Sequence, residues 1–251
     1  RGLLPQAEID VLVCGNMREA DATELLRMLQ RAVASEPLPA ADSLRRKVVR
    51  LPRGTCTRQY VASHTQGQDA NGAVEVYFQI GQETGGDEWR LLGLLAQIVE
   101  QPFYSELRTR QQLGYAVESG VSDSGEGVRG LVFSLQSSVL PPPQLEQRVD
   151  EFLLDFRASL VSMPDAEFAK FVEARALRVA DADKTLALQA IRFWSEICAR
   201  RFDFERPWYE SAAVRRLTKL QLVDFFDARV AAGGSLRRRL SIHVFPRGAG
   251  P

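Results

Sequence analysis

An arginine and a tyrosine, Arg108 and Tyr115, stand on either side of a Gln-Leu-Gly turn signal and form the most informative pattern in the chain. A guanidinium is always charged and a phenol keeps its proton at neutral pH, so both side chains are hydrogen-bond donors and poor general bases. Donors of this kind stabilise a carbonyl oxygen that gains negative charge during a reaction. The pattern therefore predicts a site that orients a carbonyl group.

A second interpretation of the same residues stays open on spacing alone, because short motifs without context are weak signals. In this interpretation Arg108 pairs with Glu106 or Gln112, and Tyr115 is a half-buried aromatic residue on a strand. The two interpretations differ in whether the guanidinium and the phenol are free to contact another molecule.

The sequence offers no metal site beside these donors. The chain contains 2 histidines, His64 and His243, and neither stands in a His-x-x-Glu-His or His-Glu-x-x-His spacing. A catalytic zinc usually needs three protein ligands, so we predict no metal ligand in this segment. His243 alternates with the apolar residues of the last strand and His64 lies in a polar loop, which predicts surface or edge histidines. Cys14 has no histidine nearby, so we expect no nucleophile there.

Composition argues against several other classes of function. The 32 basic and 32 acidic residues cancel, so no net field favours nucleic acid or a membrane surface. No apolar run approaches the roughly 18 residues that span a bilayer. The 3 cysteines are odd in number and far apart, which is typical of a reducing, cytoplasmic compartment. The chain begins abruptly at Arg1, so we expect it to be a piece of a longer protein.

Hydrophobic periodicity and turn residues predict the elements that position Arg108 and Tyr115. We expect a helix over residues 88–100 and a second helix over 103–114, which starts after Pro102 and ends on Gly114 in a left-handed cap. Tyr115 then begins a strand, and a glycine-rich turn at 123–127 leads to a return strand over 129–139. The tyrosine is thus predicted to lie on a hairpin.

The rest of the chain continues as strands and helices in runs. Further predicted helices lie at residues 21–33, 145–161, 165–182, 186–202 and 218–230. Further predicted strands lie at residues 9–14, 47–51, 58–62, 73–80 and 240–244. Pro37 and Pro39 interrupt the pattern and mark the predicted domain boundary or linker. This order indicates the α+β class, with an antiparallel sheet covered by helices on one face.

Residues 100–117, with the sequence EQPFYSELRTRQQLGYAV, resemble a segment in the C-terminal half of the insulin-degrading enzyme and pitrilysin family. Further similar segments follow in the family's order at residues 13–16, 76–79, 130–137, 193–197 and 241–244. The resemblance covers nearly the whole chain. It implies that residues 39–251 form the family's last, fourth domain, of the LuxS and processing-peptidase type, and that residues 1–38 are the end of the preceding domain and a linker.

In that family four homologous α+β domains form two bowl-shaped halves around a peptide, and the first domain binds zinc through an inverted His-x-x-Glu-His motif. The resemblance implies that Arg108 and Tyr115 reach across the chamber, orient the peptide carbonyl and stabilise the tetrahedral intermediate. It also implies that Tyr104 walls the pocket for the residue after the cleavage point, where the family often has phenylalanine. The implied partners are peptide substrates, the N-terminal half of the same enzyme and further copies in an oligomer.

The leading hypothesis is that the chain is the C-terminal, non-zinc-binding segment of a zinc metalloendopeptidase and is inactive by itself. One alternative is a non-catalytic paralogue that serves as a partner-binding or assembly subunit. Another is a peptide-binding module that adds a strand from an extended ligand to its sheet edge. An intact zinc motif upstream of Arg1 would favour the peptidase over the paralogue.

Overall fold

The computed structural model describes residues 6–33, 36–39, 47–62, 71–82, 86–125, 127–181 and 183–246. Within these ranges the chain forms two compact units. The first unit is Arg1–Lys47 with Asp181–Arg206, and the second unit is Val48–Ala180 with Pro207–Pro251. None of the described helices is long and apolar enough to cross a bilayer.

The described elements follow in chain order. The strands are β1 (Gln6–Ala7), β2 (Glu36–Pro37), β3 (Cys56–Ala62), β4 (Gly72–Gln82), β5 (Ala116–Asp123), β6 (Val128–Ser137) and β7 (Arg239–Phe245). The α-helices are α1 (Glu19–Val33), α2 (Glu88–Tyr104), α3 (Pro142–Ser162), α4 (Asp165–Ala180), α5 (Leu186–Cys198), α6 (Arg206–Val214) and α7 (Lys219–Arg229). A π-helical turn, Ser105–Arg110, directly follows α2.

The second unit is built on a 5-stranded sheet in the order β3-β7-β4-β6-β5. Neighbouring strands are antiparallel, except that β3 runs parallel to β7. The inward side chains of β4 are buried in the core together with apolar residues of α2 and α3, as the alternation in that strand predicts. The predicted α+β class, a sheet with packed helices, is confirmed.

The predicted helix boundary at Pro102 is wrong, because α2 continues through this proline to Tyr104. A proline inside a helix removes one backbone hydrogen bond. Phe103, which is 0% exposed, has its ring 4.9 Å from that of Phe133 and 5.1 Å from that of Phe152. This packing against β6 and α3 holds the segment in helical form where local propensity alone would end it.

The predicted hairpin is confirmed, and its strands β5 and β6 pair from Ala116↔Gln136 to Asp123↔Arg129. In the turn, the Asp123 carboxylate accepts a hydrogen bond from the amide of Gly125 at 2.8 Å. The strand begins one residue later than predicted, so Tyr115 lies immediately before β5 rather than within it.

Two predicted strands are wrong. Residues 9–14 are irregular and Ile9 is 48% exposed, because a strand needs a neighbour and the described part of the first unit pairs only β1 with β2. Residues 47–51 are also irregular. There the backbone forms hydrogen bonds with the side chain of Gln79 instead of with a neighbouring strand. This side chain accepts a bond from Leu51 N and donates one to Val49 O, each at 2.9 Å.

The first unit contains α1, α5 and the short β1–β2 pair. The predicted amphipathic helix is present as α1, yet none of its residues is buried. Its apolar residues are exposed: Leu25, Leu26, Met28, Leu29 and Val33. Such a face normally packs against another element.

Candidate functional site

The π-helical turn that carries Arg108 ends in a left-handed residue, but that residue is not the predicted Gly114. Gln112 has φ 54°, while Gly114 is not among the residues with positive φ. Two backbone hydrogen bonds with a longer sequence spacing than in an α-helix close the helix end. Gln111 N donates to Glu106 O at 2.9 Å, and Leu113 N donates to Leu107 O at 3.0 Å. The helix end therefore closes one residue wider than a Schellman cap, with glutamine in the left-handed position that glycine usually holds.

Gly114 is required for a different reason than the predicted one. Its backbone lies against the carbonyl of Gln136 on β6, and a Cβ atom at this position would overlap that oxygen and carbon. The absence of a side chain thus lets the segment before β5 approach β6 closely.

Arg108 and Tyr115 are brought together at this turn. Nη1 of Arg108 donates to the carbonyl of Gly114 at 2.6 Å, and its Cζ lies 5.0 Å from the centre of the Tyr115 ring. This distance is within the range of a cation–π contact. Tyr115 is 87% exposed, so the pair stands on the surface.

The alternative interpretation, in which Arg108 pairs with Glu106 or Gln112, does not match the geometry. Glu106 instead accepts from Arg110 and, at 2.6 Å, from Nε2 of Gln111. Burial acts to raise the pKa of Glu106, but the bonds from Gln111 and Arg110 outweigh it and hold that pKa below its usual value. The carboxylate nearest in sequence to Arg108 is therefore used elsewhere.

The arrangement presents unused donors to the surface. A guanidinium has five N–H donors, and within the described ranges Arg108 bonds only to Gly114 O, while the Tyr115 hydroxyl has no hydrogen-bond partner. Two adjacent donors of this kind match a carbonyl oxygen that gains charge.

Tyr104 lies apart from the contact between Arg108 and Tyr115. It ends α2 and is 44% exposed. In the part of the chain that the structure describes, it makes no ring contact or hydrogen bond with Arg108 or Tyr115. A cavity of about 640 Å³ lies on another side of the turn, lined in part by Glu106 and Phe156, and none of these three residues lines it.

The predicted surface or edge position of His243 is wrong, whereas His64 lies outside the described residues. β7 lies between β3 and β4 in the sheet, and His243 is 1% exposed. Its Nε2 is 2.7 Å from a carboxylate oxygen of Glu146, and its ring meets that of Tyr60 edge-on at 5.4 Å. Period-2 alternation could not distinguish this buried central position from an edge.

The carboxylate of Glu146 on α3 accepts hydrogen bonds from several residues of the sheet. It accepts from Arg239 and Ser241 at 2.8 Å each and from Arg58 at 3.1 Å, in addition to His243. Burial acts to raise the pKa of Glu146, but the bonds from Ser241 and Arg58 and the charge of Arg239 lower it below the usual value.

This donor set does not fit a zinc ion. Within the described ranges no three histidine, cysteine or acidic residues are grouped so that they could hold a metal, and three protein ligands are the usual minimum for catalytic zinc. The buried histidine already uses one ring nitrogen on Glu146.

Sequence reasoning missed the residues that hold the turn in place. Gln112 takes the left-handed conformation, and Ser137 at the end of β6 bonds to the carbonyl of Leu113. The first has no strong sequence signal, because glutamine is not typical of that conformation. The second contact joins residues that are far apart in sequence. The predicted β5–β6 hairpin indicates that they lie near each other, but not that they form a hydrogen bond.

Comparison with known proteins gives this geometry a family context. Residues 94–194 match the family model described as PQQ synthase PqqF-like, C-terminal lobe domain 4. The insulin-degrading enzyme of Bos taurus is 31% identical over 250 residues, which is 98% of this chain and 24% of that enzyme. The chain therefore spans about a quarter of the length of the curated relatives it matches.

Solved structures agree with the sequence matches. The crystal structure of pitrilysin aligns with a TM-score of 0.75 and 28% identity, over 94% of this chain and 24% of that one. A peptidase M16 inactive domain from Pseudomonas fluorescens aligns with a TM-score of 0.65 over 94% of this chain and 53% of that one. Its identity is 14%, so this second match supports the fold alone. The chain belongs to the metallopeptidase family of insulin-degrading enzyme and pitrilysin, in which it corresponds to a C-terminal domain.

Proposed function

We propose that this chain is the substrate-positioning C-terminal segment of a zinc metalloendopeptidase, in which Arg108 and Tyr115 grip the peptide at the bond to be cleaved. The observation that carries the proposal is the contact between the two side chains. Arg108 Cζ lies 5.0 Å from the Tyr115 ring, and both keep donors free on the surface.

In this function Arg108 and Tyr115 donate hydrogen bonds to the carbonyl oxygen of the scissile peptide. These bonds strengthen as the oxygen gains negative charge, so they favour the transition state over the ground state. Zinc held elsewhere in the parent protein would supply the activated water when bound. The bond from Arg108 to Gly114 O sets the guanidinium in one orientation before substrate arrives, which reduces the entropy cost of binding.

The test uses the full-length parent protein. We expect Arg108→Ala and Tyr115→Phe each to lower kcat by about 100-fold, the usual cost of removing one preorganised donor. Zinc content, measured by mass spectrometry, should not change. Tyr115→Phe is the sharper variant, because it keeps the ring under the guanidinium and removes only the hydroxyl.

Arg110→Ala is the matched control for the arginine. Arg110 lies on the same π-helical turn, but its guanidinium bonds to Glu106 and does not contact Tyr115. Its loss should leave kcat within about twofold of the wild type, as expected for a surface substitution away from the site. Normal kcat in both Arg108→Ala and Tyr115→Phe would refute the proposal.

We further propose that Tyr104 walls the pocket for the residue after the cleavage point. It ends α2, next to the turn that carries Arg108, and stands 44% exposed. Its hydroxyl would favour a polar side chain over a purely apolar one there. Comparison of cleavage sites in a peptide library between wild type and Tyr104→Phe would show this shift.

The exposed apolar face of α1 supports the proposed partner within the same polypeptide. Its apolar residues are unburied within the described ranges, and the chain spans about a quarter of its relatives. We propose that residues 1–38 end the preceding homologous domain, that the N-terminal half of the parent protein supplies the zinc site, and that the isolated chain is inactive.

We also propose that the parent protein is cytoplasmic, which cell fractionation would test.

A second candidate is a non-catalytic paralogue that serves as a partner-binding or assembly subunit. The described residues, which contain no group that could hold a metal, are as compatible with this candidate as with the first. The sequence upstream of Arg1 separates the two candidates. An inverted zinc motif there supports the peptidase, and its absence supports the paralogue.

Peptide substrates are favoured by the position of β5 as well as by Arg108 and Tyr115. β5 is at one edge of the described sheet and begins directly after Tyr115. An edge strand offers unpaired backbone groups to an extended peptide. Titration calorimetry with an unfolded peptide would measure the affinity that the chain retains by itself.

A further inference from the structure

The left-handed residue Gln112 must be held in place by contacts outside the helix end. A non-glycine residue in this conformation costs about 1–2 kcal/mol, and such residues persist where the surrounding structure determines them. The residues on its C-terminal side, Leu113 and Gly114, run along the end of β6, where Ser137 and Gln136 lie.

Ser137 is the residue that connects this turn to β6. It is 2% exposed, and its hydroxyl donates to the carbonyl of Leu113. The same oxygen accepts from the amides of Val139 at 2.9 Å and Leu140 at 3.2 Å. One hydroxyl thus joins the turn after the helix to the segment that follows β6.

The hydrogen bond to Leu113 O affects Arg108 and Tyr115 through the two peptide units that connect Leu113 to Tyr115. The peptide unit between Leu113 and Gly114 is planar, so a hydrogen bond to its oxygen restricts rotation of the whole unit about the Cα–Cα axis. The next carbonyl, that of Gly114, accepts the bond from Arg108 at 2.6 Å. The next residue is Tyr115, whose ring lies under the Arg108 guanidinium. Because Gly114 has no side chain that limits its own φ and ψ, a change in these angles would separate the two groups.

We propose that Ser137 is a positioning residue for the substrate-gripping pair, because its bond to the Leu113 carbonyl sets the orientation in which Arg108 and Tyr115 meet. The proposal rests on the function proposed above for that pair. Ser137 does not touch the substrate, and it acts through the backbone of Leu113 and Gly114.

The first test is structural and uses the 251-residue chain. NMR measures the nuclear Overhauser contact between the Arg108 side chain and the Tyr115 ring, together with the ring-current shift of the arginine signals. We expect both to be present in the wild type and lost in Ser137→Ala. Ser137→Cys keeps the shape of the side chain with a slightly larger atom and is a weak donor, so it should also lose them while it retains the fold.

Ser134→Ala is the matched control for loss of a serine hydroxyl on β6. Its hydroxyl lies 3.5 Å from Glu75 and has no contact with the turn, so the Arg108 and Tyr115 signals should persist. Persistence of these signals in both folded Ser137 variants would overturn the inference.

The second test measures turnover in the full-length parent protein. Because misplacement of a positioned group by about 1 Å costs as much as 100-fold, we expect Ser137→Ala and Ser137→Cys to lower kcat by about 10- to 100-fold. KM should change by less than about threefold, since the pair acts mainly on the transition state.

The two tests distinguish the inference from the proposed function. If Ser137→Ala loses the NMR contact and Arg108→Ala keeps normal turnover, the proposed function fails and the positioning by Ser137 stands. If Arg108→Ala lowers turnover but Ser137→Ala loses the contact with no effect on kcat, Ser137 is not a positioning residue for this reaction and the inference is overturned.

Discussion

Single residues at the end of the π-helical turn decide how Arg108 and Tyr115 are presented. The left-handed position is filled by Gln112, and Gly114 is needed because β6 leaves no room for a Cβ atom. A single glycine often provides both a positive φ and room for a close backbone approach. Here Gln112 has the positive φ and Gly114 allows the close approach. Glycine was correctly expected to matter here, but for the wrong physical reason.

This separation predicts opposite effects of two substitutions on the free energy of unfolding. Gln112→Gly should raise it by about 0.5–1 kcal/mol, because the relief of left-handed strain exceeds the entropy cost of glycine. Gly114→Ala should lower it by about 2 kcal/mol or more, because the new methyl group overlaps the Gln136 carbonyl. Urea unfolding of the 251-residue chain measures both.

Each of these two variants controls for the other. If Gly114 were the left-handed residue, Gln112→Gly would destabilise through entropy alone and Gly114→Ala would cost only about 1 kcal/mol. An unfolding midpoint lowered by Gln112→Gly would therefore contradict the geometry of the turn.

At the scale of elements, α3 is tied to the sheet by one buried carboxylate as well as by apolar packing. Glu146 joins α3 to β3 through Arg58 and to β7 through Arg239, Ser241 and His243. Removing one member of a buried charged network leaves its partners unsatisfied, which typically costs 3–5 kcal/mol. The network is therefore a structural connection between α3 and the sheet, and it does not include Arg108 or Tyr115.

The lowered pKa of Glu146 predicts the direction of pH dependence. A carboxylate whose pKa is lower in the folded state than in the unfolded state stabilises the fold above the unfolded value of 4.5, and this contribution is lost as pH falls through the folded pKa. We expect Glu146→Gln to lower the free energy of unfolding by about 3 kcal/mol at pH 7. The difference from wild type should shrink below pH 4.5.

Asp155→Asn on the same helix is the control, since Asp155 is exposed and its carboxylate has no hydrogen-bond partner in the described ranges. Urea unfolding between pH 3 and pH 7 would compare the three proteins. A Glu146→Gln curve parallel to that of wild type over the whole range would show that Glu146 does not carry this dependence.

At the scale of the molecule, the chain carries the two donors proposed to grip substrate, and its described residues contain no group that could hold a metal. The function proposed above shares the reaction between domains, and the chain matches about a quarter of the length of its relatives. The apolar face of α1 is one part of the described surface on which several apolar side chains are exposed, as is typical of an interaction surface.

The missing donor set predicts that the purified 251-residue chain retains zinc only substoichiometrically after dialysis. Atomic emission or mass spectrometry measures the metal content, with the full-length parent protein as the comparison. Tightly bound, stoichiometric zinc that disappears in His243→Ala would contradict this prediction. Zinc that remains in that variant and is removed by brief chelation would be surface-bound and consistent with it.

The sequence by itself determined the α+β class, the hairpin β5–β6, the amphipathic helices and the pair Arg108 and Tyr115 as the residues of interest. These features depend on periodicity, turn chemistry and local spacing, which are properties of neighbouring residues. It also indicated the family through the segment 100–117.

Only the tertiary structure decided the features that depend on contacts between distant segments. The packing of Phe103 on β6 and α3 carried α2 through Pro102, and the lack of a strand partner left residues 9–14 irregular. His243 lies in the core because β7 is a central strand, and its ring nitrogen is paired there with the Glu146 carboxylate. The end of β6 set the backbone that brings Arg108 onto Tyr115, because steric fit and buried hydrogen bonds act through space and not along the chain.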